Sequence, residues 1–235
     1  MRYSGSLVKE EREKIFELFL NKDKLKFNEI EKELNIRSNM VSYHLEQMLK
    51  ENLLEKKDQF YYLTKEAEKY IPIFQHITGK ELSPLPVVLI AVLNENKILM
   101  IKRNKRPYKN YWSMIGGKML FDETYIDATL RQVKKKTNLD CNFESINSVL
   151  HEMVEDEATK HSFILFFTKV ISESTEFKES ESGELKWFDI DELKEDETIP
   201  SDYWLIKNKI NSKIEVNNAE MNDVDGKLSS FKIIN

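Results

Sequence analysis

Gly116-Gly117-Lys118-Met119-Leu120-Phe121-Asp122-Glu123, running on through Arg131 to Leu139, decides how the larger part of this chain is read. An aromatic segment, Tyr111-Trp112-Ser113, precedes the glycine pair, a loop follows it, and residues 124–137 have helical character. Paired glycines point to backbone conformations that a Cβ forbids, or to a close approach of backbone and ligand. Offsets of three and four put Gln132, Lys135 and Lys136 on one face of the helix. Asn138 then falls at the helix end, where asparagine tolerates the left-handed conformation best after glycine.

This stretch resembles the signature of the Nudix hydrolase family. Gly117 matches its glycine, Glu123 its isolated glutamate and Arg131 its arginine, while Val133 and Leu139 fill the aliphatic places. The resemblance implies an α/β/α sandwich, a diphosphate-containing nucleotide ligand and magnesium or manganese held by carboxylates, since hard cations take anionic oxygens. Here the three helical glutamates of the signature fall on Gln132, Lys135 and Lys136. At intermediate dielectric a cation near 4 Å opposes another unit charge by roughly 4 kcal/mol. The reading is therefore a scaffold whose shape is kept and whose metal chemistry is lost. A solvated helix surface is the plainer account of Lys135 and Lys136, and it too removes the metal site.

Around the signature the family's order of elements is legible. Residues 87–93 and 97–103 are apolar strands joined by Asn94-Glu95-Asn96. Lys102, Arg103, Lys105 and Arg106 form a basic cluster before Tyr108 and Trp112, read as a phosphate-binding rim, with Trp112 assigned to the core. Residues 143–152 and 161–171 are β-prone, residues 172–183 read as a mobile loop, and 184–189 as a late strand. A helix follows through about Lys209, with Ser201 as its expected cap. Arg103, Arg106, Gly116, Gly117, Glu123 and Arg131 are the candidate ligand residues. Glu123, with Glu152 and Glu155 from outside the signature, could restore catalysis, although a solvated acidic loop accounts for the last two.

The first 78 residues read as three short helices and a hairpin, with Ser38 expected to cap the third helix. They resemble winged helix-turn-helix regulators of the arsenic-repressor-like kind. The resemblance implies that Ser38, Asn39, Ser42, Tyr43 and His44 face base edges of duplex DNA, and that Lys56 and Lys57 at the wing meet phosphate. Fifteen Lys and Arg against fourteen Asp and Glu in residues 1–80 leave a protein-contact role open. Residues 79–85 read as a linker and 86–210 as the Nudix-like domain. In residues 211–235, 214–216 and 228–234 look like strands, with Asp225-Gly226 as a hairpin turn.

With 235 residues, 40% hydrophobic and 33% charged, and formal net charge −5, the chain suits one large or two modest cores. No apolar run approaches the roughly 20 residues that span a bilayer. One cysteine, Cys141, excludes an internal disulfide, and no zinc spacing exists, which fits a cytoplasmic protein. The fold class expected is α+β. The function expected is a dimeric DNA-binding transcriptional regulator with a catalytically inactive Nudix-like domain that senses a nucleotide-like effector and needs no metal. The alternative is an active hydrolase of a nucleoside diphosphate derivative, using Glu123 and outside carboxylates with magnesium or manganese. Nudix-related transcriptional regulators are similar in concept but carry the two domains in the reverse order.

Overall fold

A computed structural model describes residues 5–80, 82–105, 108–155, 160–178, 181, 183–224 and 227–234. The chain divides into two compact units, Met1–Ser83 and Pro84–Asn235, each with its own apolar core.

In the first unit, α1 (Glu10–Leu20) buries Ile15, Phe16 and Phe19, the apolar stripe its periodicity announced. A two-residue strand β1 (Leu25–Lys26), not foreseen in the sequence, leads into α2 (Phe27–Leu34). Asn35 ends α2 in the left-handed conformation, and α3 spans Ser38–Lys50. Ser38 is not the cap: Arg37 holds that position, and the Ser38 hydroxyl donates to Glu31. Strands β2 (Leu54–Lys57) and β3 (Phe60–Leu63) form a hairpin, and β3 also pairs with β1. Thr64 caps α4 (Lys65–Glu68) by accepting the Ala67 N–H at 3.1 Å, and Pro72 lies in the 3₁₀ turn before α5 (Phe74–Thr78).

The second unit is built on a six-stranded mixed sheet. Its strands are β4 (Leu85–Asn94), β5 (Lys97–Arg103), β6 (Trp112–Lys118), β7 (Cys141–Glu155), β8 (Lys160–Ser172) and β9 (Gly183–Asp189). Their spatial order is β7-β8-β4-β6-β5-β9, and only β4 and β8 run parallel. Alternation along β4 sorts its side chains into two cores. Val88, Ile90 and Val92 pack under α6 (Tyr125–Thr137), with Tyr125, Ala128 and Val133. Leu89, Ala91 and Leu93 pack under α7 (Pro200–Lys209), with Leu205, Ile206 and Ile210. The unit is therefore a sandwich of sheet between helices, and Trp112 belongs to its core.

Both helices start and stop for local reasons. Thr124 accepts the Asp127 N–H at 3.1 Å, and Asp127 accepts the Thr124 N–H at 3.1 Å, a reciprocal cap at the start of α6. Asn138 (φ 61°) ends it in the left-handed conformation. Pro200 opens α7 as its first residue, where a missing N–H costs nothing, so Ser201 is not the cap. At the far end of α7, Asn147 from a register shift in β7 donates to the carbonyls of Lys209 (3.2 Å) and Ile210 (2.8 Å).

Residues 214–216 form no strand. The Ile214 N–H instead donates to the Ile146 carbonyl at 3.0 Å, and Tyr125 donates to the Val216 carbonyl at 3.0 Å. Strands β10 (Asn218–Val224) and β11 (Lys227–Ile234) make a separate hairpin, and its expected turn at Asp225-Gly226 lies outside the described residues.

Asn147→Ala strips the amide from two helix-end carbonyls. It should lower the unfolding free energy of this unit by about 2–3 kcal/mol. Urea denaturation checks this, and an unchanged midpoint would show that α7 does not depend on this contact.

Candidate ligand site

Gly116 and Gly117 do not adopt positive φ, so close approach, the second of the two readings, explains them. A Cβ on Gly116 would lie 2.7 Å from the Val88 carbonyl oxygen, and one on Gly117 2.3 Å from the Gln132 amide. Gly117 thus makes room for the Gln132 side chain of α6 above β6, and Gly116 for the close approach of β4. Gln132 Nε2 donates to the Lys118 carbonyl at 3.1 Å, and the Lys136 ammonium donates to the Gly116 carbonyl.

Beside this junction lies a cavity of about 390 Å³, within the range of small-molecule sites. Leu85, Val87 and Leu89 of β4, with Phe163 and Leu165 of β8, form its apolar wall. Arg103, Lys105, Lys118 and Lys136 contribute cations, and Glu152 and Asp202 are the acids. Burial pushes the Lys136 ammonium down to about 8, and the neighbouring Arg103 and Lys135 push the same way.

The cavity's polar groups differ in their partners. The Tyr108 hydroxyl and the Ser201 hydroxyl are buried without a hydrogen-bond partner. Tyr108 also sits at φ 61°, a costly conformation for a bulky side chain and one that concentrates at ligand sites. Asp202 is buried and accepts the Met114 N–H at 2.7 Å. Burial raises its carboxyl to about 7, against the hydrogen bonds from Met114 and Ser113; Glu152 pushes it further up and Arg103 pulls it down.

The candidate residues are distributed unevenly. Arg103, Gly116 and Gly117 line the cavity. Glu123 and Arg131 do not: Arg131 grips Glu123 with a two-pronged pair at 2.6 and 2.5 Å. That pair holds the Glu123 carboxyl below its usual range, and the Leu120 N–H adds to the effect. Glu123 thus staples the loop before α6. Arg106 lies outside the described residues. Glu152 lines the cavity, whereas Glu155 does not. Lys105 and Tyr108, read from the sequence as part of the phosphate-binding rim and the aromatic surface beside it, line the cavity, whereas Ser201 was expected only as a helix cap and Asp202 was not foreseen.

In the first unit His44 is buried, at 4% exposure, so it cannot face a nucleic-acid groove. Its Nδ1 accepts from Arg12 at 3.4 Å, and burial lowers its pKa. Tyr43, Asn39 and Ser38 are exposed, Ser42 is half-buried, and Lys56 and Lys57 stand at the hairpin turn.

The family model for the NUDIX domain matches residues 83–208, more than half of the chain. The chain belongs to the Nudix family. It is similar to an ADP-ribose pyrophosphatase of Methanocaldococcus jannaschii, 30% identical over 132 residues that cover 54% of this chain and 77% of that protein. It is also similar to an uncharacterized Nudix hydrolase of Bacillus subtilis, 26% identical over 110 residues that cover 46% of this chain and 68% of that protein. Among solved structures, a MutT protein from Bacillus halodurans aligns at 22% identity with a TM-score of 0.48, covering 63% of this chain and 97% of that one.

The divalent cation that the family implies does not fit the residues present. The helix face that should gather carboxylates carries an amide and two lysines, and Gln132 and Lys136 are already committed to backbone carbonyls. Among the described residues no group of three or more His, Cys, Asp or Glu converges to hold a metal.

Asp202 gives a pH-dependent outcome. Its carboxyl is raised from 3.8 to about 7 in the folded protein. Between those values the native chain keeps a proton that the unfolded chain has released, so stability falls as pH rises through this window. Asp202→Asn removes the burden of an ionised buried acid while keeping an acceptor for Met114. The variant should be more stable than the parent at pH 8, by up to about 4 kcal/mol, and equal to it near pH 4. Thermal melts across pH decide it, and equal melting at pH 8 would refute the account.

Proposed function

We propose that the Nudix domain binds a nucleoside diphosphate derivative in the cavity between β6, α6 and α7, and holds it without metal-dependent turnover. One observation carries this reading. The cavity joins cations, Arg103 and Lys136, to buried hydroxyls without partners, Tyr108 and Ser201, across an apolar wall. Cations suit a diphosphate, and unpartnered hydroxyls suit the hydrogen-bonding edge of a base or sugar. Leaving such groups unpaired is unfavourable, so a ligand that pairs them gains in affinity and selectivity.

Hydrolysis is the second reading, and the relatives' names favour it. Glu152 and Asp202 are the carboxylates at the cavity that could take a proton from an attacking water. A panel of nucleotide sugars and dinucleotides, assayed with magnesium or manganese, separates the two. Binding without turnover is the expected result. Turnover that Glu152→Gln or Asp202→Asn abolishes would establish the hydrolase instead.

The helices and hairpin of the N-terminal unit support a winged helix-turn-helix reading, which the family match, beginning at residue 83, does not reach. Helices α2 and α3 are joined by a tight left-handed turn at Asn35, and a β-hairpin follows whose second strand pairs with β1, the short strand before α2. Asn39, Ser42 and Tyr43, without His44, are then the residues for base edges, and Lys56 and Lys57 for phosphate. A dimer reading paired half-sites, with the Nudix ligand as effector, follows from this. Selection from a random duplex pool should enrich an inverted repeat, and Asn39→Ala should weaken binding to it by about 1–3 kcal/mol. A pool that yields no enriched sequence would remove DNA from the account.

A further inference from the structure

The three consecutive lysines of α6 have different fates. Lys134 is exposed and pairs with Asp140 at 2.8 Å, and Lys135 is exposed. Lys136 alone of the three turns inward, lines the cavity and donates to the Gly116 carbonyl on β6. It stands at the position where the signature carries its last glutamate.

We propose that the Lys136 ammonium, together with the Arg103 guanidinium, grips the ligand's diphosphate directly, so that binding requires no divalent cation. This rests on the reading of the cavity as a diphosphate site.

Three observations support it. Lys136 is half-buried and donates to the Gly116 carbonyl, and among the described residues no ion pair is formed to it. Its charge is instead opposed by Arg103 and Lys135. An anion seated beside Lys136 reverses the sign of that opposition at the ammonium. The two groups are also complementary in shape. The guanidinium offers a planar fork that matches two phosphate oxygens, and the ammonium is a compact charge with rotatable donors. Finally, the Lys136–Gly116 contact places the charge beside the side-chain-free stretch of β6 at Gly116 and Gly117, both of which line the cavity.

A divalent ion would then compete with binding rather than assist it, because it would be drawn to the same phosphate oxygens and repelled by Lys136.

Isothermal titration of the full chain at neutral pH tests this, with inorganic diphosphate and ADP as probes, in excess EDTA and in excess magnesium. The expected result is binding in EDTA, no tighter in magnesium. Lys136→Met should weaken it by about tenfold or more, Lys136→Arg should restore most of it, and Lys135→Met should leave it within about twofold. Circular dichroism shows whether the variants fold, and the arginine variant keeps the test valid if the methionine variant does not. Binding that appears only with magnesium, or survives Lys136→Met undiminished, overturns the role of Lys136 and leaves the cavity as a diphosphate site. If neither probe, nor any nucleotide sugar or dinucleotide, binds under either condition, the diphosphate reading falls with it.

Discussion

The seam between β6 and α6 is the constraint on which the Nudix unit depends. Gly117 leaves room for the Gln132 amide of α6, and Gly116 leaves room for the Val88 carbonyl of the neighbouring strand β4. Three donors from α6 then tie to β6 carbonyls: Arg131 and Gln132 to Lys118, and Lys136 to Gly116. In a carboxylate-bearing site a cation would have to bridge acids on the helix to oxygens on the strand. Here the helix supplies the donors itself. Gln132 and Lys136 are therefore not inert substitutions on a solvated surface. They do with hydrogen bonds what acids could do only through an ion, and the local shape survives the loss of the acids for that reason.

The same seam explains the role of Glu123. Its pairing with Arg131 spans the loop between β6 and α6, and the Leu120 N–H completes its coordination. A carboxylate so engaged is held ionised and turned away from the cavity. Matching a signature residue by residue thus identified a partner of Arg131 rather than a reactive group. The chemistry of the cavity lies instead with Arg103, Lys136, Glu152 and Asp202, which come from β5, α6, β7 and α7.

What the sequence made legible follows from periodicity and turn chemistry. Strands β4, β5, β7, β8 and β9, helices α1, α3 and α6, and the left-handed end at Asn138 announce themselves through local patterns whose physical cause is also local, whereas β6, whose glycine pair reads as a turn or a ligand approach, does not. The failures share the opposite property. His44 lies in a run of polar residues, and only the tertiary placement of Arg12 makes it part of the core. Ser38 lost its capping role to the residue before it because Glu31 was near enough to take its hydroxyl. Asp202 reads as a helix-opening acid, yet it is buried under β6, eighty-eight residues away in sequence. A segment such as Ile214–Val216 is apolar enough for a strand, but the backbone groups it would pair with are met by single contacts to Ile146 and Tyr125.

The cavity's two acids and its cations are best understood as one electrostatic system. Arg103 opposes the charge on Lys136 and favours the charge on Asp202, so it links the two sides of the site. Met114 and Gly116, which anchor Asp202 and Lys136, are two residues apart on β6, about 7 Å along the strand. An anion that settles near Arg103 and Lys136 stabilises the ammonium and withdraws some of the guanidinium's support for the Asp202 carboxylate. Asp202, with its carboxyl near 7, would then hold its proton more firmly and present a donor to the rest of the ligand. The burial of Asp202 is the larger cause of its raised carboxyl, and Arg103 adds a smaller coupling between the acidic and cationic sides of one cavity.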